Sequence, residues 1–338
     1  MATALLPLLL LLQLSHHWAA PAALSASSRG SPPVAAEGLQ AELTAAIEAG
    51  QPSFTIKGGT YRFKSGTSLL IHNATDLAIR APDPVELIFE GSAGVSFVSA
   101  VRVSIENIAI DYDPLPTKGH SSITYALVNS TDVLTQNLTI RSAPYMAVTA
   151  FTGGGNHTFR RLRFAPHPGA RWASQRDAIH FSDVRIGPTI EDSSIGWCGD
   201  DFINIKNTLQ LLLRCTTASS CIVINPHVSG EQPIPFGGTS VLATARQGDR
   251  FSFYQWPSTD MVMPQLETSA AHGSATVSSL EPLTTASPAL ATEAAALEKS
   301  LIGVWPWTAW TNQSMPFGTS ELWRVNFSAP LPETIWRR

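Results

Sequence analysis

The chain has 338 residues, of which 14% are charged and 44% hydrophobic, with a formal charge of −4. That length and apolar content allow a large buried core and exclude a chain disordered by composition. The slightly acidic balance, without a Lys/Arg run or basic residues interleaved with aromatics, speaks against nucleic acid as a partner.

Residues 1–26 read as a secretory signal peptide. Leu5 to Leu12 is an apolar run broken only by Pro7 and closed by Gln13, and Ala19, Ala20, Ala22, Ala23 and Ala26 offer cleavage points. The run is too short to span a bilayer and no later segment is long enough, so no membrane association is expected after signal removal. Asn-X-Ser/Thr sequons at Asn73, Asn129, Asn137, Asn156, Asn312 and Asn326 accompany it, which together point to a glycosylated, secreted, extracellular protein. Residues 27–50 read as a leader followed by a capping helix. Leu39, Leu43, Ala46 and Ile47 have helical spacing, Gly50 is a C-terminal stop, and such a helix is able to cover an open end of a β structure.

From Ser53 the texture turns to short β segments separated by turn residues: Phe54–Ile56, Leu77–Ile79, Glu86–Phe89 and Val95–Val98. A weak repeat runs through them. Asn107-Ile108-Ala109-Ile110 matches Asn137-Leu138-Thr139-Ile140, then Arg161-Leu162-Arg163-Phe164, then Ser194-Ile195-Gly196-Trp197. Each block is led by an upstream strand: Val95–Val98, Ala126–Val128, Met146–Thr149 and Ala178–Phe181. Units of this length cannot bury an apolar face alone, so neighbours must stack and share a core. A sandwich needs no such recurring two-strand unit. The expected fold is therefore all-β, a parallel β-helix over 51–217 with a smaller β-rich module over 218–338. In the latter, Gly248-Asp249 leads into an alternating strand, Ala289 to Leu301 has helical character, and Glu321 to Phe327 alternates as a strand. Nothing after residue 217 returns to the repeat.

Two strands of the repeat carry the chemistry. Asp177-Ala178-Ile179-His180-Phe181 and Asp201-Phe202-Ile203-Asn204-Ile205 align residue for residue at an offset of 24, and Gly199-Asp200 precedes the second. If that offset is one coil, Asp177 and Asp201 lie on adjacent rungs, roughly 4.8 Å apart. Aspartates crowded in this way repel one another, so such a cluster usually serves metal binding or shared-proton chemistry. Two carboxyl groups suffice for glycoside hydrolysis, one protonating the leaving oxygen while the other deprotonates a water. Strand parity raises an objection: Asp177 falls on the side of Ile179 and Phe181, and Asp201 on that of Ile203 and Ile205. The carboxylates stay out of the core only if the strands begin after them. Gly199 makes the needed bend easy on the second rung. His180 and Asn204 occupy matching outward positions, able to bond sugar hydroxyls, and Lys206 shares that face. A Gly-Asp-Asp turn also has a purely structural reading, in which the carboxylate bonds its own backbone. No cofactor is expected; calcium, which takes several carboxylate and carbonyl oxygens, is the minor alternative for the cluster, because no third rung of Asp or Glu completes a cage. Of the cysteines, Cys215 and Cys221 would close a short loop and leave Cys198 as a packed small side chain. Trp172 and Trp256 could stack on a sugar, although tryptophan is more often core. Trp197 and Asn207-Thr208 read as structural.

Asp177-Ala-Ile-His-Phe-Ser followed by Gly199-Asp-Asp-Phe-Ile-Asn-Ile resembles the Asp-Gly-Ile-His-Phe-Ser and Gly-Asp-Asp-Ala-Ile-Asn-Val-His-Gly motifs of the alpha-1,3-galactosidases of glycoside hydrolase family 110. More distantly, it is similar to the family 28 polygalacturonases, which share an Asp-Gly-Ile and Gly-Asp-Asp core. The resemblance implies a right-handed parallel β-helix and an inverting hydrolase whose catalytic aspartates map onto Asp177, Asp200 and Asp201. It implies Asp200 as the acid, with Asp177 and Asp201 holding the water, and a terminal alpha-linked galactose on a glycan as substrate. The polygalacturonase Gly-His-Gly and Arg-Ile-Lys motifs are not found here, whereas Gly248-Asp249-Arg250-Phe251-Ser252-Phe253 and Trp323 to Pro332 resemble the β insert of the galactosidases. Ala178 stands where the family has Gly, Lys206-Asn207 stands for His-Gly, and the coils that follow the insert in the galactosidases have no counterpart. A polygalacturonase- or pectate-lyase-like enzyme and a non-catalytic glycan-binding or structural β-helix are the alternatives.

Overall fold

The computed structural model describes residues 34–91, 94–115, 123–167, 170–206, 210–225, 245–253, 273–283, 287–300 and 321–336. Residues 1–26, read above as a signal peptide, and Asn207-Thr208, Trp256 and Asn312 fall outside them. Within them the alternating segments stack in parallel, coil upon coil, as a β-helix. One sheet has six strands: Leu69–His72, Val95–Val98, Tyr125–Val128, Val148–Phe151, Ile179–Ser182 and Ile203–Lys206. The other has ten, and its long members Ser104–Tyr112 and Leu134–Ile140 each bend in the middle. The first half of Ser104–Tyr112 pairs with Ala78–Arg80 and the second with Val85–Phe89, so each coil has three faces.

The bends come from residues in the left-handed region, which costs asparagine and aspartate less than other non-glycine residues. Asn107, Asn137, Arg161 and Asp192 bend successive coils at the middle of the larger sheet. There the Asn137 amide donates to Asn107 Oδ1 at 2.6 Å, Asn107 donates to the Ala81 carbonyl at 2.9 Å, and Arg161 Nε donates to Asn137 Oδ1. A second column, Asn73, Ser99, Asn129, Thr152 and Asp183, turns the chain out of the six-stranded sheet. The repeat is in register where the sequence places it for three blocks: Leu138 stands opposite Ile108, and Ile140 opposite both Ile110 and Phe164. The fourth is slipped by two residues, because Arg163 bridges Ser194 rather than Gly196. Asp192 is the true counterpart of Arg161. Ser193 at the inward place hid it, holding the Leu162 N–H at 3.0 Å and the Glu191 carbonyl at 2.7 Å.

Inward side chains stack along the bore. Phe97, Tyr125, Phe159 and Phe181 form one run with ring centroids 5.3, 6.4 and 6.0 Å apart, and Phe63, Phe89 and Tyr112 a second. The helix Ala36–Glu48 closes the first end, with Leu39 and Leu43 in the same core as Phe63 and Leu69. Its stop is a Schellman turn: the Gln51 N–H reaches the Ala46 carbonyl, the Gly50 N–H reaches Ile47, and Gly50 has φ 61°. At the other end, Ile203 and Ile205 stand in register with the fully buried Ile179 and Phe181, yet are 46% and 59% exposed. Among the described residues no further coil covers them.

His157 is a buried polar exception in the bore. Its Nδ1 accepts the Val133 N–H at 3.3 Å, so the proton of the neutral ring sits on Nε2, which has no partner. Burial pushes the imidazole down to about 4. The unfolded chain, with a histidine near 6.5, therefore binds more protons below that pH, and stability is lost as pH falls from about 6.5 to about 4. The expected loss is on the order of 3 kcal/mol. Urea titrations across that window should show it, with a flatter profile in His157→Asn.

Leu211–Thr217 leaves the coil and starts an antiparallel sheet with Ser220–Asn225, Glu321–Phe327, Gly273–Pro282 and Arg250–Phe253 in that spatial order. This sheet has its own core of Val223, Val277, Trp323, Val325 and Phe327, and the helix Pro288–Ser300 packs Leu290 and Ala294 on its other face. Cys215 and Cys221 form a disulfide across its first hairpin, and Cys198 is left as a buried thiol. Arg185 ties sheet to coil by pairing with Asp249 at 2.7 Å, holding that carboxyl below its usual range.

Candidate active site

The strands Ile179–Ser182 and Ile203–Lys206 pair in parallel with Ile179 opposite Ile203, the 24-residue offset seen in the sequence. Both begin two residues after their aspartate, so pleat parity does not force the carboxylates into the core. Each aspartate instead reaches along the outer face to a polar residue three positions on. Asp177 Oδ2 lies 2.5 Å from His180 Nδ1, and Asp201 Oδ2 accepts from Asn204 Nδ2 at 2.9 Å. The same local geometry, made twice on adjacent rungs, brings the carboxylates together. One oxygen from each of Asp177, Asp200 and Asp201 lies within 4.8 Å of the other two.

Their surroundings differ. Asp177 is 3% exposed and His180 4%, while Asp200 and Asp201 face solvent. His180 points away from the bore as its parity requires, but it is covered rather than open. Its Nε2 meets Ser182 Oγ at 3.0 Å, so the ring is held at both nitrogens and fixes Asp177. Asn204 is half-buried and Lys206 stands opposite Ser182 in register; the Lys206 side chain lies outside the described residues. Trp172 is exposed, as is Trp197, whose carbonyl accepts the Ala173 N–H at 2.7 Å on the preceding rung.

Gly199 earns its place differently from the expected bend. Its φ is not in the left-handed region; instead a Cβ there would lie 2.4 Å from the Gln175 carbonyl oxygen of the preceding rung. The glycine lets two coils approach at the point where the aspartates meet. Gly199→Ala should force the rungs apart, costing about 1–3 kcal/mol and scattering the carboxylates. Thermal melting and the activity assay below would read the two effects separately.

Two residues that the motif did not single out complete the site. Arg176, the rung equivalent of Asp200, reaches Asp200 Oδ2 at 3.4 Å and Tyr145 Oη at 2.8 Å, with its guanidinium 5.0 Å from the Tyr145 ring centroid. Burial opposes its charge, but Tyr145 and Asp200 together raise it above the ordinary arginine range. The 24-residue offset that aligns Asp177 with Asp201 also aligns Arg176 with Asp200, so this neighbour was visible in the sequence. Cys198 sits behind the pair, its Sγ donating to the Asp200 carbonyl at 3.4 Å, and burial pushes the thiol up, away from a nucleophile's range.

Three oxygens mutually within 4.8 Å leave a point about 2.8 Å or less from all of them, the hydrogen-bond length of a water. A cation would fit the same point, although calcium takes roughly six to eight oxygens and the cluster brings three carboxylates. A groove lined by Arg80, Ser104, Glu106, Leu134 and Gln136 lies on the larger sheet, away from this cluster.

No family model matches the chain, and no curated protein matches it. The reading of the site therefore rests on its own geometry.

Proposed function

We propose that the protein is a secreted, inverting glycoside hydrolase that removes terminal alpha-linked galactose from glycans. The observation that carries the reading is the convergence of Asp177, Asp200 and Asp201, one oxygen of each within 4.8 Å of the other two. A parallel β-helix is compatible with polysaccharide-active enzymes, but fold alone does not assign chemistry. In the proposed reaction Asp200, the acid that the resemblance implies, gives its proton to the glycosidic oxygen as the bond to the anomeric carbon breaks. Asp177, braced by His180, and Asp201, braced by Asn204, hold the water and take its proton as its oxygen bonds that carbon. The cluster is tighter than the carboxyl separation of about 6.5–9.5 Å in the usual inverting pair and nearer the 5–5.5 Å of a retaining one. What favours a water as nucleophile is the point shared by all three carboxylates. The specific sugar, the linkage and secretion follow from the resemblance and the leader.

One observation favours a second reading. The Arg176 guanidinium beside the cluster is a cation suited to the carboxylate of a uronic acid, as in pectic polysaccharide. Galactose release from alpha-1,3-linked disaccharides, measured beside polygalacturonate with and without calcium, separates these substrates. Release of galactose supports the first reading, and cleavage of polygalacturonate replaces it with the second. If neither is cleaved while glycans still bind, a non-catalytic binding module is the better description.

A further inference from the structure

The carboxylates lie at the entry ends of the six-stranded sheet's strands, and three of the five sequons among the described residues, Asn73, Asn129 and Asn156, lie beyond the exit ends; Asn326 is in the antiparallel sheet. Asn73 directly follows Leu69–His72 and Asn129 directly follows Tyr125–Val128; both are exposed, left-handed members of one turn column, with Ser99 on the rung between them. Their side chains are therefore roughly 10 Å apart. Asn156 belongs to the same turn region on the next coil, is exposed, and its amide reaches no deeper than Asp132 Oδ1 at 2.7 Å. A four-residue strand, roughly 13 Å long, separates this edge from the carboxylate edge. Asn137 has the same motif in another setting. Its Nδ2 donates to Asn107 and its Oδ1 accepts from Arg161, half-buried between rungs. Rungs spaced about 4.8 Å apart have no room for a sugar on that nitrogen.

We infer that Asn73, Asn129 and Asn156 are N-glycan acceptors on one edge of the solenoid, and that Asn137, a rung of the internal asparagine ladder, is not. The donor is a lipid diphosphate-linked oligosaccharide of the secretory pathway. Asn Nδ2 bonds the anomeric carbon of its first N-acetylglucosamine, the carbon–oxygen bond to the diphosphate breaks, the amide gives up one proton, and the lipid diphosphate leaves. Glycans placed there hydrate the exit edge and leave the entry edge, with the aspartates, open to a substrate. The inference rests on the secretion part of the proposed function and not on the hydrolase part.

The test expresses the full chain in a secretory animal cell, once behind its own leader and once behind a heterologous one. The purified protein is treated with an amidase that converts each glycan-bearing Asn to Asp, and its peptides are mapped by mass. Conversion at Asn73, Asn129 and Asn156 with Asn137 unchanged is the expected result. Conversion at Asn137 in folded protein, or none at the three edge sites behind the heterologous leader, overturns the inference. Edge-site glycans behind the heterologous leader alone support the acceptor assignment and refute secretion by the native leader. As a second readout, Asn73→Gln, Asn129→Gln and Asn156→Gln should each remove one glycan with little change in Tm. Asn137→Gln should lower Tm and remove none, and a lost glycan with unchanged Tm would contradict the ladder's exclusion of sugar.

Discussion

Asp200→Asn is expected to lower kcat for glycoside hydrolysis by about 10²–10⁴-fold, the usual contribution of a positioned general acid, with little change in fold stability. The amide keeps the volume of the carboxyl and still faces Arg176, but it has no acidic proton to give the leaving oxygen. Asp200 is solvent-facing, so the substitution leaves no buried charge unpaired. Asp201→Asn and Asp177→Asn should lose comparable activity, since each removes one of the two groups holding the water. The three losses should not add, because residues acting as a unit fail together. Asp177 differs in one respect: it is buried against His180, so its replacement should also lower Tm. The measurement is kcat and KM for each variant beside thermal melting. Retention of wild-type kcat by Asp200→Asn would remove that residue from any acid role.

Phe181→Ala is expected to cost about 3–5 kcal/mol of stability, the range for deleting a buried aromatic. Its ring is fully buried and lies 6.0 Å from Phe159 and 6.1 Å from His157, so truncation opens a void that stacked coils on both sides hold rigid. Ile205→Ala, one rung further along the same column, should cost no more than about 0.5–1 kcal/mol, because the exposed side chain has little area to lose from burial. Urea denaturation of the two variants checks this. Equal losses would mean that Ile205 is covered as Phe181 is.

Much of this architecture was legible in the chain because a solenoid writes its period into the sequence. The offset of 24 between Asp177 and Asp201 is the register of their strands, and Leu39, Leu43 and Gly50 marked the capping helix and its stop. The pairing Cys215–Cys221 followed from proximity in sequence. The illegible parts have physical causes. Ser193 takes an inward place that an apolar residue holds on the neighbouring coil, because its hydroxyl satisfies two backbone groups, and so the fourth block was misaligned. His180 alternates as an outward polar residue should, but alternation cannot report what covers that face. Gly199 announced a bend when the constraint was a carbonyl oxygen across the rung gap, a distance that no local pattern contains. The exposure of Trp197, Ile203 and Ile205 depends on what lies beyond the last coil, which strand propensity does not encode.

In the proposed mechanism three aspartates from two coils activate a water, rather than one of them attacking the sugar. Following the first turnovers on an alpha-linked galactoside by proton NMR, before the released sugar mutarotates, tests it most directly. Beta-galactose is expected to appear first and to relax later to the anomeric mixture. First appearance of alpha-galactose would signal a covalent glycosyl-enzyme and contradict the mechanism.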